Sequence, residues 1–367
     1  MVIDWLDKYG GAERVIGKLQ HIFNFHEVYT LVNIMPKEDL NKMFPLKSTV
    51  IKETFLKKFG KRFRLAFFFF YSVIKKISIS KDVNIIISSS HSVAKGVKKS
   101  NPNQIHISYF QARNSNYIWE EYDLYFGKLK YIFYPIIYFL RKKDVLDGQN
   151  PDYIICNSKF VQTWVKNTYK RESIIIYPPV DLSKFTLQIE KDDYYVAVGR
   201  IVSIKRFDIL VKAFRSINKK LILIGDGNEF ETIKKLASEN VIITGFLNSE
   251  EVNEYVKYAR AFIQTGVEGF GIAPVEAQAC GTPVIAFGGG GALETIIENK
   301  TGIFFDKQTP ESLIDAVNRF EKMQFNPIEV RENALRFSKE RFEQEIKTFV
   351  EEKWQEHLDK NNPDSLS

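Results

Sequence analysis

TGVEGFGIAPVEAQACGTPVIAFGGGGALET, residues 265–295, decides how this chain reads. An apolar run at 261–265 suits a buried strand, after which Gly266, Gly269 and Gly271 punctuate a loop. Pro274 fits the first turn of a helix and Gly281 its C-terminal cap, leaving about two turns between them. The amides of Phe270, Gly271 and Ile272 fall at the start of that helix, where backbone N–H groups lack internal partners and attract an anion. Glu268 lies in the loop and Glu276 one turn into the helix, so both carboxylates can face one crevice and accept hydrogen bonds from vicinal hydroxyls. The plainer alternative is that Glu276 complements the helix dipole and Glu268 is solvated. Ala273, three residues before Glu276, offers no capping-box partner and weakens that alternative.

Outward from this stretch, the second half of the chain alternates regularly. Apolar runs at 194–198, 221–224, 241–244, 261–265 and 284–287 are separated by helical segments that begin near Arg206, Glu229, Ser249 and Ala292. That is the pattern of a doubly wound parallel sheet. Arg200 and Lys205 follow the first of these strands and fall at the carboxyl edge of the sheet. There they can neutralise a departing diphosphate, Arg as a fork and Lys as a point charge, or serve as surface charge on a loop. Gly225-Asp226-Gly227 follows the next strand, but Phe230 stands where a dinucleotide fingerprint needs its third glycine, so a nicotinamide oxidoreductase is disfavoured. The glycines at 288–291 read as a flexible turn or, with a helix following at once, as a source of further amides for the crevice.

The first half carries short β-rich runs at 2–4, 28–31, 49–51, 83–87, 105–109 and 153–155, again with helical or loop material between them. Gly10-Gly11 after the first run lets a ligand approach the backbone, or makes an ordinary tight turn. Ser88-Ser89-Ser90-His91 follows the run at 83–87, and ligand crevices in open α/β sheets lie beyond the carboxyl ends of strands. His91 is therefore a catalytic candidate, with a satisfied structural histidine as the alternative. His106 sits within a strand and reads as structural; His21, His26 and His357 have no motif around them. The proline pair at 178–179 marks the linker between domains.

Composition sets the outer bounds. At 367 residues and 44% hydrophobic content the chain can fill two cores. Its two cysteines, Cys156 and Cys280, are far apart and suggest a reducing compartment rather than a disulfide framework. No signal-peptide pattern and no run of about eighteen uncharged apolar residues is visible. Two segments, KKFGKRFRLAFFFFYSVIKK (57–76) and KLKYIFYPIIYFLRKK (128–143), combine aromatic centres with cationic flanks. Both suit the interface of an anionic membrane, each cation contributing roughly 1 kcal/mol, or else core helices with a solvated charged face. No nucleic-acid module accompanies them, so nucleic acid is not expected as a partner. The expected location is cytoplasmic, peripheral on the inner face of the cytoplasmic membrane.

Taken together, the stretch from Glu268 to Glu276 and its surroundings resemble the signature of retaining GT-B glycosyltransferases of family 4, in particular bacterial mannosyltransferase-like members. GGAER at 10–14, SSSHSVAKG at 88–96, CNSKFV at 156–161, YPPVDLSKF at 177–185, GRIVSIKRFD at 199–208 and RFSKERF at 336–342 match in place. The resemblance implies an α/β chain of GT-B architecture, two Rossmann-like doubly wound domains facing a central cleft. It divides the chain into an acceptor-side, membrane-facing domain at 1–178, a nucleotide-sugar domain at 179–345, and a terminal helix at 346–367 that crosses back and frays from Asn361.

By the same resemblance Glu276 binds ribose hydroxyls, Glu268 the transferred sugar, and Arg200 and Lys205 the diphosphate. Amides of Phe270, Gly271 and Ile272 assist, and Gly11 closes over the phosphates. The implied reaction moves a hexose, from GDP-mannose in the first instance, to a lipid-linked saccharide of an O-antigen, lipopolysaccharide or exopolysaccharide. Transfer is front-face with retention, and needs neither cofactor nor metal ion. The alternatives are a UDP-sugar donor or a non-catalytic scaffold on the same fold. Two departures stand out: Gln111 occupies a position where relatives often carry histidine, and relatives have several more residues ahead of the position of Asp4, so a truncated start is expected.

Overall fold

The computed structural model describes residues 1–361. The chain divides into two compact units, Met1–Tyr177 with Phe342–Ser367, and Pro178–Arg341. Residues 362–367, part of the tail expected to fray, lie outside the described residues, while Asn361 ends a helix.

The first unit holds a seven-stranded parallel sheet of β1 (Val2–Ile3), β2 (Glu27–Thr30), β3 (Val50–Glu53), β4 (Ile85–Ser90), β5 (Ile105–Phe110), β6 (Tyr153–Cys156) and β7 (Ile174–Ile175), ordered β3-β2-β1-β4-β5-β6-β7. β1 has only two residues yet sits between β2 and β4, Val2 pairing with Tyr29 and Ser88. The order reverses there, which makes the carboxyl end of β1 the switch point where doubly wound sheets bind ligands. β4 is longer than its apolar run suggests. Ser88–Ser90, expected to follow the strand, belong to it and pair with Ser108, Tyr109 and Phe110, the Ser88 hydroxyl donating to Ser108 Oγ at 2.7 Å.

Apolar cores cover both faces of this sheet. On one, Ile3, Ile87 and Ile107 pack with Val15 and Leu19 of helix Gly11–Phe23 and with Phe342, Ile346 and Val350 of helix Lys339–Asn361. On the other, Val2, Leu31 and Ile86 pack with Phe63, Phe70, Ile74, Ile137 and Leu140. The segment 57–76 is not one helix: a 3-10 stretch Phe55–Ala66 breaks at Gly60 (φ 49°) and gives way to helix Phe67–Ile74. The segment 128–143 lies mostly in helix Lys130–Asp147.

The second unit holds β8 (Tyr194–Val198), β9 (Lys220–Ile224), β10 (Val241–Gly245), β11 (Ala261–Gln264), β12 (Val284–Phe287) and β13 (Gly302–Phe305), ordered β10-β9-β8-β11-β12-β13 and parallel throughout. β13 is a strand the sequence reading lacked, as is β7 in the first unit. Helix Ser249–Tyr258 begins one residue after its true cap, Asn248, which forms a capping box with Glu251.

Candidate active site

In the second unit the expected donor residues gather on loops at the carboxyl edge of the sheet. β8 ends at Val198, and the loop carrying Arg200 is gripped by the one after β9: Gly199 N donates to Ile224 O and Ile201 N to Asp226 O. A Cβ on Gly225 would sit 1.8 Å from Gly199 O, and one on Gly227 2.2 Å from Ile201 O. The glycine pair that resembles a dinucleotide fingerprint is thus required by loop-on-loop packing. Lys205 ends the short turn Ser203–Lys205, where Thr265 Oγ1 donates to its carbonyl at 2.7 Å and Gly266 allows the backbone of Ile204 and Lys205 to pass. Its ammonium lies 2.5 Å from Glu268 Oε1, so the two site residues form an ion pair, each side chain about a quarter exposed or less (20% and 26%). They line a recess with Val198, Phe207, Thr265 and Gly266.

The helix of the opening stretch spans Ile272–Ala279, beginning two residues before Pro274. Gly271, its N-cap, has φ 94°, a left-handed turn that swings the chain from loop to helix axis. Phe270 anchors the approach by packing on Phe337 at 5.2 Å between centroids. Glu276 is buried within the helix. The base of the helix is held by a polar network: Asn333 Nδ2 donates to Gln278 Oε1 (2.6 Å) and Thr295 O (2.8 Å), and Gln278 Nε2 also donates to Thr295 O.

The glycine cluster departs from its reading as an amide source. Gly291 N donates to Glu268 O at 2.9 Å, Gly289 N to Phe287 O and Gly288 N to Phe305 O, so those three amides are already engaged. A Cβ on Gly290 would fall 2.4 Å from Glu268 O, and one on Gly291 2.4 Å from Phe270 Cα. The cluster is a floor on which the loop at 268–270 rests, and the helix after it, Ala292–Thr295, has four residues.

In the first unit, Gly11 opens helix Gly11–Phe23 after β1, and His91 follows β4. Asp4, which the sequence reading did not single out, organises this end. Its fully buried carboxylate accepts from the amides of His91 (2.7 Å) and Ser92 (3.0 Å) at Oδ2, and from Val93 (2.5 Å) and Ala94 (2.7 Å) at Oδ1. Gln111 Nε2 donates to Ser89 Oγ at 2.9 Å, bridging the ends of β4 and β5. His106 is fully buried in β5, 2.8 Å from Ser88 Oγ, and burial pushes its pKa down to about 3. Burial likewise raises the Cys156 and Cys280 thiols to about 12, so neither is a nucleophile.

These features can be set beside known proteins. Residues 180–341 match the family model described as Glycosyl transferases group 1. An uncharacterized glycosyltransferase of Methanocaldococcus jannaschii is 32% identical over 200 residues, 52% of this chain and 55% of that protein. A GDP-mannose-dependent alpha-(1-6)-phosphatidylinositol monomannoside mannosyltransferase of Mycobacterium tuberculosis is 36% identical over 140 residues, 33% of this chain and 36% of that protein. The chain thus spans between about a third and about half the length of these curated relatives. Anabaena HepE, crystallised with UDP and glucose, superposes with a TM-score of 0.67 at 17% identity, covering 95% of this chain and 98% of its own. The lipopolysaccharide outer core galactosyltransferase WaaB gives 0.65 at 18%, covering 96% and 100%. Two parallel-sheet, Rossmann-like domains of this kind are the GT-B fold.

Arg200, Lys205, Glu268, Phe270, Gly271, Ile272 and Glu276 all lie within the group 1 segment, and Gly11 and His91 lie outside it. The two cationic-aromatic segments are outside it as well. Each buries one face and exposes the other: Phe63, Phe70 and Ile137 are buried, whereas Leu65 (74%), Phe69 (60%), Tyr131 (79%) and Ile132 (71%) are open to solvent. Lys142 and Lys143 lie over the Tyr138 and Phe139 rings at 4.5 and 4.6 Å. Among the described residues no helix is long and apolar enough to cross a membrane.

Proposed function

We propose that this protein is a retaining GT-B glycosyltransferase of family 4 that moves a hexose from a nucleotide-sugar, GDP-mannose in the first instance, to a lipid-linked saccharide of a bacterial surface polysaccharide. The observation that carries the reading is the Lys205–Glu268 pair beside the N-terminus of helix Ile272–Ala279, on a sheet edge that also carries Arg200. A diphosphate arriving there competes with Glu268 for the Lys205 ammonium, and the freed carboxylate then accepts hydroxyls of the transferred sugar. Arg200, Lys205 and the amides of Phe270, Gly271 and Ile272 take up charge as the diphosphate leaves; one such preorganised donor is typically worth about a hundred- to a thousandfold in rate. Glu276 holds the ribose, and His91 serves the acceptor. The diphosphate itself receives the acceptor proton on the front face, with no metal ion or cofactor. The M. tuberculosis relative, named for GDP-mannose, supports the donor base; Anabaena HepE, crystallised with UDP, favours a UDP-sugar as the second reading.

The acceptor's lipid implies a membrane, and the exposed rings with their flanking lysines on 57–76 and 128–143 support docking on an anionic bilayer from the cytoplasmic side. A donor panel against membrane-extracted lipid-linked acceptors tests the proposal, with Glu268→Ala and Arg200→Ala beside the wild type. Transfer that survives unchanged in both variants would remove the assigned site.

A further inference from the structure

The switch point of the first sheet carries side chains that the donor reading leaves unused. Asp4 closes the loop after β4 onto the end of β1 through four amides, and its Oδ2 also lies 3.2 Å from His91 Nδ1. A carboxylate that is already an acceptor for these amides calls for a hydrogen on Nδ1, which leaves the Nε2 lone pair of a neutral ring available. The His91 side chain is 32% exposed, so the ring is open to a ligand on one side. Trp5, the next residue after Asp4, meets the imidazole edge-on at 4.5 Å and 88°. The indole packs with Phe63 and Phe70 at 5.7 and 5.8 Å, and the Arg64 guanidinium, 2.5 Å from Asp7, lies over the indole at 5.8 Å. An acceptor nitrogen, a cationic fork and an apolar indole wall therefore meet at one place. The carboxylates of Asp4 and Asp7 beside them disfavour a phosphate and favour a neutral ligand rich in hydroxyls.

We infer that Trp5 and His91 form a saccharide subsite at the carboxyl end of β1, with His91 Nε2 accepting a hydrogen bond from a sugar hydroxyl and Asp4 as the positioning residue that sets the imidazole tautomer. The occupant is the saccharide of the acceptor, which rests on the glycosyltransferase reading above.

Two measurements test it on the full chain. The first is saturation-transfer NMR with n-octyl α-D-mannopyranoside as probe, on wild type, His91→Ala, His91→Gln, Trp5→Ala and Trp5→Phe, each checked for folding by its urea midpoint. Ring protons of the sugar are expected to be saturated by the wild type. His91→Ala and Trp5→Ala should weaken binding about tenfold, whereas His91→Gln, whose side-chain carbonyl still accepts, and Trp5→Phe should stay within about threefold. Saturation confined to the alkyl chain, or ring saturation unchanged in both alanine variants, overturns the subsite.

The second is the 15N spectrum of the imidazoles at pH 8, with His91 assigned by its absence in His91→Gln. The Nδ1–H tautomer is expected in wild type and its loss in Asp4→Asn; an Nε2–H tautomer in wild type overturns the role of Asp4, as does an unchanged tautomer in a folded Asp4→Asn. GDP and UDP titrations of the same variants separate this proposal from the one it rests on. Diphosphate bound normally while the sugar ring is untouched refutes the subsite alone, and a saturated ring with neither diphosphate bound refutes the donor reading alone.

Discussion

Replacing Gly291 by alanine is expected to disable the donor loop while leaving every assigned functional side chain in place. The added Cβ would lie 2.4 Å from both Cα and O of Phe270 and 2.6 Å from Gly269 O. Ordinary contact begins at 3.4 Å, so the loop at 269–270 must retreat by about 1 Å, the difference between 3.4 and 2.4 Å. The obstructing atoms are backbone, and no rotamer change relieves them. The retreat also strains the bond from Gly291 N to Glu268 O, now 2.9 Å. Overpacking of this kind costs roughly 1–3 kcal/mol of stability. For catalysis the same displacement moves the amides of Phe270, Gly271 and Ile272, and a misplacement of about 1 Å is worth around a hundredfold in rate. Urea unfolding and the initial rate of hexose transfer measure the two effects separately. Gly17→Ala is the control, because its nearest atom, Met43 Cα, is 3.4 Å away. A Gly291→Ala protein with wild-type midpoint and wild-type rate would refute the close-packing account of the cluster.

Three further outcomes are expected. Tyr131→Ser combined with Ile132→Ser, both exposed, should reduce co-sedimentation with phosphatidylglycerol vesicles at least several-fold without moving the urea midpoint; equal binding would reject this face as the membrane contact. Lys95→Met breaks the fully buried pair with Asp144 (2.7 Å) and leaves that carboxylate with its Tyr71, Trp119 and Tyr169 donors but no countercharge, a loss of about 3–5 kcal/mol by denaturant unfolding. Burial holds the His106 pKa near 3, against 6.5 for an ordinary histidine, so between these values the unfolded chain binds the extra proton and stability falls as pH falls. From pH 7 to pH 5 this amounts to about 2 kcal/mol, and His106→Asn should show a correspondingly flatter acid limb; an unchanged limb would reject the assignment.

The alternation of strands and helices was legible because most strands are buried on both faces and read as apolar runs, as at Tyr194–Val198. β7 escaped notice because two residues carry no periodicity. β4 was read short because its last three residues are serines whose neighbours on β5, not their own apolarity, keep them in the sheet. Arg200, Lys205, Glu268 and Glu276 could be picked out from loops that follow apolar runs and from their resemblance to a known signature. The Lys205–Glu268 pairing could not, since it depends on how Gly266 lets the two loops pass. The role of Gly290 and Gly291 is a matter of sub-3 Å clearances, which no local pattern encodes. Asp4 is the clearest case: its four amide partners lie 87 to 90 residues away, so the sequence shows only an acid after a very short strand.

The central claim is that the carboxyl edge of the second sheet holds a nucleotide diphosphate. Calorimetric titration of the wild type, Arg200→Ala and Glu276→Gln with GDP and with UDP tests it most directly. One diphosphate should bind the wild type, with affinity reduced at least tenfold in both variants, a difference of about 1.4 kcal/mol or more. Failure of both diphosphates to bind the folded wild type, or equal affinity in all three proteins, would contradict the account.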